Sequence, residues 1–517
     1  MRVCSMAWLD RVRGASSHIL DRTRAGNFFH RPTPAIGAGL IVALTGLIAA
    51  GCGNQYRPVI TPIQPTGPAQ SPSADAVIVS QPGFSPLTAA VTGPCTANTY
   101  ATPSIITVLD FSGDSVEAQA DAGYGPIGFS LETGGANIYA PNCDGTLTTA
   151  LSTPTQLKTS NVQTSTLLPG SVPTNTLDAG SNLYVTESGL HGPTCLVTNC
   201  VAQLTSTGIQ SLKQEIPVAP SLINLTGSAS SQRIYAISQG NSSVGVTQPA
   251  WGDCATPGSV TVSGEADAIE TTTNTISARL PLGMCPVYGF TTPDTLRSFI
   301  MNRGSGTVTV INAQLNALDT TNPNLGPNAT IPVGAGPVYA DYYRQSQILV
   351  TANYDSNTIS IIDVSLDVYG NDSATFGKVL ATVPVGVHPV EVSVLQDGSR
   401  IYVANQGTIA ADGTVGTPGS VSVVNLSNYS VEKTIPVTMN PHAIVSIYNY
   451  PIGKVYVTAQ NSPYVTIIRT DTDIVSSTPE LQGNIVDIRV SAQYPGQSTN
   501  GSANDQIESR SVGSGAP

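Results

Sequence analysis

Charge is scarce in this chain. Only 10% of its 517 residues are Asp, Glu, Lys or Arg, and acidic residues outnumber basic ones by 33 to 21, a formal net charge of −12. No basic cluster follows residue 31, so the remainder offers nothing to neutralise nucleic-acid phosphates and no nucleic-acid partner is expected. The thin negative charge reads as solubility rather than as an acidic binding surface. Histidine (5) and tryptophan (2) are rare as well. Several chemical signatures are missing: a CxxC pair or His cluster for zinc, HExxH, a GxSxG nucleophile turn and an acidic DxDxDG calcium loop. Glycine pieces such as Gly134-Gly135 lack the strand–loop–helix setting of a phosphate cradle. No cofactor and no metal is therefore expected, and Ser and Thr are too abundant for one nucleophile to stand out.

What is present begins with an address. Arg11, Arg13, Arg22, Arg24 and Arg31 precede an apolar run from about Ala35 to Ala50, somewhat short for a stable membrane span. It ends in Ala49-Ala50-Gly51-Cys52, which resembles a bacterial lipobox. That resemblance implies lipidation of Cys52, cleavage before it, and export of the rest of the chain on a membrane anchor. Gly53 rather than Asp after the cysteine favours the outer membrane, periplasmic or surface face, in a cell that has one. The alternative is an uncleaved anchor helix with a chance cysteine. Residues 52–75, rich in Pro, Gln and Ser, read as an extended tether. Residues 496–517 read as a disordered tail.

Apart from Cys4 in the signal and Cys52, six cysteines remain: Cys95, Cys143, Cys195, Cys200, Cys254 and Cys285. An even number in an exported chain suggests three disulfides, and a zinc site less so.

Between tether and tail, residues 76–495 repeat one unit. A proline opens the first strand at Pro126, Pro173, Pro220, Pro286, Pro337, Pro389 and Pro441, intervals that suit four-stranded propeller blades with insertions. The second strand recurs as NIYAPN, NLYVTE, RIYAIS, SFIMNR, ILVTAN, RIYVAN and VYVTAQ. The third recurs as GSVTVS from Gly258, GTVTVI from Gly306, NTISIID from Asn357, GSVSVV from Gly419 and YVTIIR from Tyr464. The fourth ends in pieces such as TIPVGAG and TVPVGVH. Tyr-Val-Ala/Thr-Asn followed by these elements resembles the YVTN family of β-propeller repeats of exported bacterial and archaeal proteins. The match is strong over 284–475 and degenerate over 124–283.

The resemblance implies an all-β propeller, in which each blade buries its two faces against its neighbours. Seven complete units run from 124 to about 483. AVIVS (76–80), SIITVLDF (104–111) and NIVDIRVS (484–491) would complete an eighth and close the ring. Eight blades are favoured over seven. Loop parity then puts all six cysteines on one face, with Cys195–Cys200 pairing locally, Cys95–Cys143 linking the first two blades in chain order, and Cys254–Cys285 linking an insertion to the next blade. The long loops 187–201, 239–258 and 407–418 share that face, where binding usually resides.

Ionisable residues are few enough to place one by one. His388 and His442 sit beside blade-start prolines at the channel mouth, as strand-end caps or, alternatively, as ligands. Glu391, Asp341 and Asp487 lie on first strands and could line a polar throat. His191 is expected to be exposed in the Cys195–Cys200 loop. Trp251 is expected to pack in its loop beside Cys254 rather than serve as a binding anchor. Two functions follow as expectations. One is a monomeric envelope lipoprotein that presents a propeller face to a protein or glycan. The other, implied by similar propellers, is a lactonase-like or quinoprotein-dehydrogenase-like enzyme, with Glu391 near His388 or His442 as its acid–base pair.

Overall fold

The computed structural model describes residues 75–490, apart from 84–101, 244–259, 409–414 and shorter internal stretches of one to five residues. The signal and tether with Cys52, the tail, and Cys95, Cys254 and Trp251 lie outside the described residues. Everything described belongs to the unit Gly67–Pro517. Among the described residues no helix is long and apolar enough to cross a membrane.

The chain forms eight antiparallel sheets in sequence order. We number them blades 1 to 8. Their first strands are Ser130–Leu131, Pro173–Ala179, Leu222–Thr226, Pro286–Thr291, Pro337–Tyr343, Pro389–Val394, Pro441–Ile447 and Asn484–Val490. Each first strand touches that of the next blade from blade 1 to blade 8, so the first strands are the innermost. Blade 8 closes the ring: the C-terminal strand Asn484–Val490 pairs antiparallel with the N-terminal strand Ala76–Gln81, which continues into Ile105–Leu109 and Val116–Asp121. The propeller therefore has eight blades, joined by the two ends of the folded chain. One third strand differs from expectation. In blade 3 it is Ser263–Glu270, and the stretch from Gly258 that resembles other third strands precedes it.

Sequence periodicity changes from the centre of a blade to its rim for a physical reason. Inner and middle strands are covered on both faces by neighbouring blades, so they are almost continuously buried. Outer strands meet solvent, and Ser430–Pro436 buries only Ile435. The third residue of the second strand is an aromatic wedge between blades: Tyr139, Tyr184, Tyr235, Phe299, Tyr402 and Tyr456 are all buried. Each such ring is worth roughly 2–3 kcal/mol of burial. The blade-start proline lacks an N–H and sits before a bulge, with register shifts at Pro173, Pro286, Pro337, Pro389 and Pro441.

Two further devices recur. The first residue of a second strand reaches the third-to-fourth turn of the next blade: Asn182 to the Thr271 carbonyl, Arg233 to that of Ala313, Arg400 to that of Thr470, and Lys454 to that of Phe111. The last residue, Asn, ties second strand to third. Asn302 donates to Thr307 and Thr309, Asn353 to Thr358 and Ser360, Asn405 to Ser420 and Ser422, and Asn142 to Thr146 and Thr148.

Candidate functional site

Up-down connectivity puts second-to-third loops and outer-to-inner loops on one end of the ring. Cys143, Cys195, Cys200 and Cys285 all fall there. Cys195 and Cys200 are bonded to each other, and Cys143 and Cys285 are each in a disulfide. The expected pairings with Cys95 and Cys254 involve cysteines outside the described residues. On this disulfide face, Leu190, Leu196, Val197, Val415, Tyr464 and Tyr124 are solvent-exposed in loops, whereas the opposite face exposes Leu315, Val368 and Tyr369. An apolar pocket of about 390 Å³, lined in part by Val437, Pro441, Val457, Pro463 and Tyr464, opens in the same loop system of blade 7.

The inner carboxylates are held within the fold. Asp341 Oδ2 accepts the Val394 N–H of the next blade at 2.7 Å, and Oδ1 accepts its neighbour Tyr342 N–H at 2.8 Å. Glu391 Oε2 accepts the Ile444 N–H, again of the next blade, at 2.7 Å. Adjacent inner strands belong to different sheets, so these backbone donors would otherwise lie buried without partners. Both carboxylates are buried. Burial, with Glu391 nearby, raises the Asp341 pKa to about 7. Asp487 is also fully buried and contacts Arg489 at 3.2 Å.

His388 is half-buried and adopts φ +54°. Its ring stacks on Tyr354 at 4.3 Å, and Nδ1 donates to the Gly407 carbonyl at 2.8 Å. His442, also half-buried, is the second residue of the blade 7 inner strand.

The densest chemistry lies in blade 2. His191 is buried, not exposed as the sequence suggested: its loop folds back over the blade, with the His191 N–H donating to the Cys195 carbonyl at 3.0 Å. Gly189 permits this closure, since a Cβ there would lie 2.6 Å from the Gly170 carbonyl oxygen. His191 Nδ1 donates to the Gly189 carbonyl at 2.8 Å, which fixes the tautomer and turns Nε2 toward two carboxylates. Nε2 lies 2.7 Å from Glu215 Oε1 and 3.3 Å from Glu187 Oε2. Glu187 Oε1 accepts from Ser171 Oγ at 2.7 Å. The Nε2–H is directed at Glu215, so Glu187 Oε2 faces the imidazole as a charge and accepts no hydrogen bond. Cys195 Sγ contacts Glu215 Oε2 at 3.3 Å, but a disulfide sulfur has no proton to donate. The Glu187 carboxylate, opposed by burial and helped by Gly189 and Glu215, raises the His191 pKa to about 9.

This cluster replaces the repeat's asparagine device. Glu187 stands where blades 1, 4, 5 and 6 have Asn142, Asn302, Asn353 and Asn405. Cys200 and Ala202 stand where those blades have a Ser/Thr pair. On the outer strand Glu215 faces Ala202, where Thr164, Thr330, Thr382 and Thr434 occupy the matching place. Blade 3 also departs, with Glu265 and Asp267, but there a permanent cation, Arg279, contacts both carboxylates at 3.1 and 3.3 Å. The NLYVTE stretch, with Glu in place of Asn, was the sequence signal. A second acidic group, Asp75, Asp110 and Glu117, gathers in blade 8, and burial together with the other two carboxylates raises the Asp75 pKa to about 6.

The Choice-of-anchor I domain family matches residues 305–446. No curated protein matches the chain. Among solved structures, the dihydro-heme d1 dehydrogenase NirN in complex with DHE is similar at 11% identity and a TM-score of 0.53, over 80% of this chain and 74% of that one. Apo AztD from Citrobacter koseri is similar at 12% identity and a TM-score of 0.48, over 81% of this chain and 98% of that one. At such identities the likeness to NirN speaks for the propeller fold alone.

Proposed function

We propose that the protein is an exported binding module, anchored to the cell envelope through lipidated Cys52, whose propeller presents its disulfide face to a protein partner. The observation that carries this is the distribution of exposed apolar side chains. Of nine large apolar residues exposed in described loops, six are on the disulfide face. Leu196 is 62% and Val197 72% exposed within a loop pinned by the Cys195–Cys200 bond. Rigid apolar projections and an apolar pocket on the same face suit a protein surface better than a glycan. The Choice-of-anchor I match fits an anchored protein. The enzyme alternative has less support: Asp341 and Glu391, the acids expected at the channel mouth, are engaged by backbone N–H groups.

The test is site-specific photocrosslinking in cells, with the crosslinker at Val197 or at Val368 on the opposite face. A discrete adduct from Val197, lost on Leu196→Asp and absent from Val368, supports the reading. Equal adducts from both faces, or none from Val197, would refute it. The anchor is tested separately by Cys52→Ser, which should release the protein from membranes.

A further inference from the structure

Blade 2 gives up a neutral hydrogen-bonded device found in four other blades and puts two buried carboxylates and one imidazole in its place. Among the described residues neither Glu187 nor Glu215 has a lysine or arginine partner, and their one cationic neighbour is His191. Even with that imidazole protonated, the cluster keeps an excess negative charge where the side chains of Glu187, His191 and Glu215 are 0%, 0% and 4% exposed. Buried charge of this kind costs several kcal/mol unless something compensates it. Blade 3 carries the same formal charge, two carboxylates against Arg279, but that arginine is 42% exposed and shares its charge with water, whereas the blade 2 side chains are closed off. Glu187 Oε2 is fully buried, accepts no hydrogen bond and is aimed into the cluster.

We propose that Glu187, His191 and Glu215 bind a divalent transition-metal cation of the zinc class, through Oε2, Nε2 and Oε1 respectively. The donor atoms already lie within 4.8 Å of one another. Zinc bonds of about 2.0–2.2 Å to nitrogen and oxygen in tetrahedral geometry separate ligand atoms by about 3.4 Å, so the 3.3 Å pair needs no change and the 2.7 Å pair opens slightly. His191 is oriented as metal-bound histidines are, with Nδ1–H on a backbone carbonyl and Nε2 toward the site. The cation replaces a proton on Nε2, and two carboxylates with a dication leave the cluster neutral. Cys195 supplies no thiolate while bonded to Cys200. An imidazole with two carboxylates suits zinc, cobalt or nickel more than a soft ion such as Cu(I).

The experiment titrates the full-length, oxidised, metal-stripped protein with Zn²⁺, and with Co²⁺ as a spectroscopic probe. One equivalent should bind, with cobalt d–d absorption. His191→Ala should abolish it, and isosteric Glu215→Gln should weaken it by about tenfold or more while circular dichroism shows the fold kept. Glu117→Gln, in the other acidic group, should change nothing. No saturable uptake up to about 1 mM, or uptake that both blade 2 variants leave intact, would overturn the proposal. So would binding that appears only after reduction by a dithiol, since the ligand would then be the Cys195 thiolate.

Discussion

Lys454 Nζ donates to the Phe111 carbonyl at 2.5 Å and pairs with Asp114, although the two partners are more than 300 residues away in sequence. Lys454 opens the second strand of blade 7, and Phe111 and Asp114 form the third-to-fourth turn of blade 8. Asn182, Arg233 and Arg400, at the same position, link three other pairs of blades by the same reach, so the seam between the two ends of the chain is stitched like those blade boundaries.

Lys454→Ala should therefore weaken the closure. Lys454 is 2% exposed, and its loss leaves Asp114 and a carbonyl without their cation, a cost of about 3 kcal/mol. Hydrogen exchange should accelerate first in Ala76–Gln81 and Asn484–Val490. Uniform acceleration across all blades would contradict a local seam.

The inner carboxylates set a pH dependence. Asp341 titrates at about 7 in the folded protein against an ordinary value of 3.8. A carboxyl with a raised folded pKa contributes most stability below its unfolded value and loses it as pH rises through the folded one. Its share, at most about 4 kcal/mol, should thus fall away between pH 4 and 8. Asp267 and Asp75 are shifted in the same direction. Unfolding midpoints should rise as pH falls from 8 to 5, and Asp341→Asn should flatten that slope. An unchanged slope in Asp341→Asn would refute the assignment.

His191→Ala in metal-free protein removes the one cation that the described residues place beside Glu187 and Glu215. The cost should be about 3–5 kcal/mol. Adding Glu187→Gln should recover part of it, because the second substitution removes the charge that the first leaves uncompensated. Urea or thermal melts of the two variants measure this, and simple additivity would count against the coupling.

Non-reducing peptide mapping should find Cys195 joined to Cys200 and no free thiol at Cys143 or Cys285. Joining Cys195 to Cys200 closes a short loop, so a Cys195→Ser/Cys200→Ser variant should lose only about 2 kcal/mol and still fold.

The ring was readable because a blade's needs are local: a proline before a bulge, an aromatic wedge, an asparagine tie and alternating outer strands leave marks in sequence. Closure was readable because 484–491 and 76–80 each look like part of a blade that lacks the rest. The third strand of blade 3 was misplaced because Glu265 and Asp267, paired with Arg279, disguise a buried strand as a polar loop. The blade 2 cluster was missed for a related reason. Motif matching rewards agreement with the repeat, whereas Glu187, Cys200 and Glu215 are informative because they depart from it. His191 reads as exposed in a polar loop, and only the fold-back over Gly170 and Ser171 buries it.

The departure of blade 2 from its repeat is most directly tested by anomalous scattering at the zinc edge, from crystals of oxidised protein grown with Zn²⁺. The site should give one strong peak bounded by Glu187 Oε2, His191 Nε2 and Glu215 Oε1. Zinc at Asp75, Asp110 and Glu117 instead, or no ordered zinc in blade 2, would contradict it.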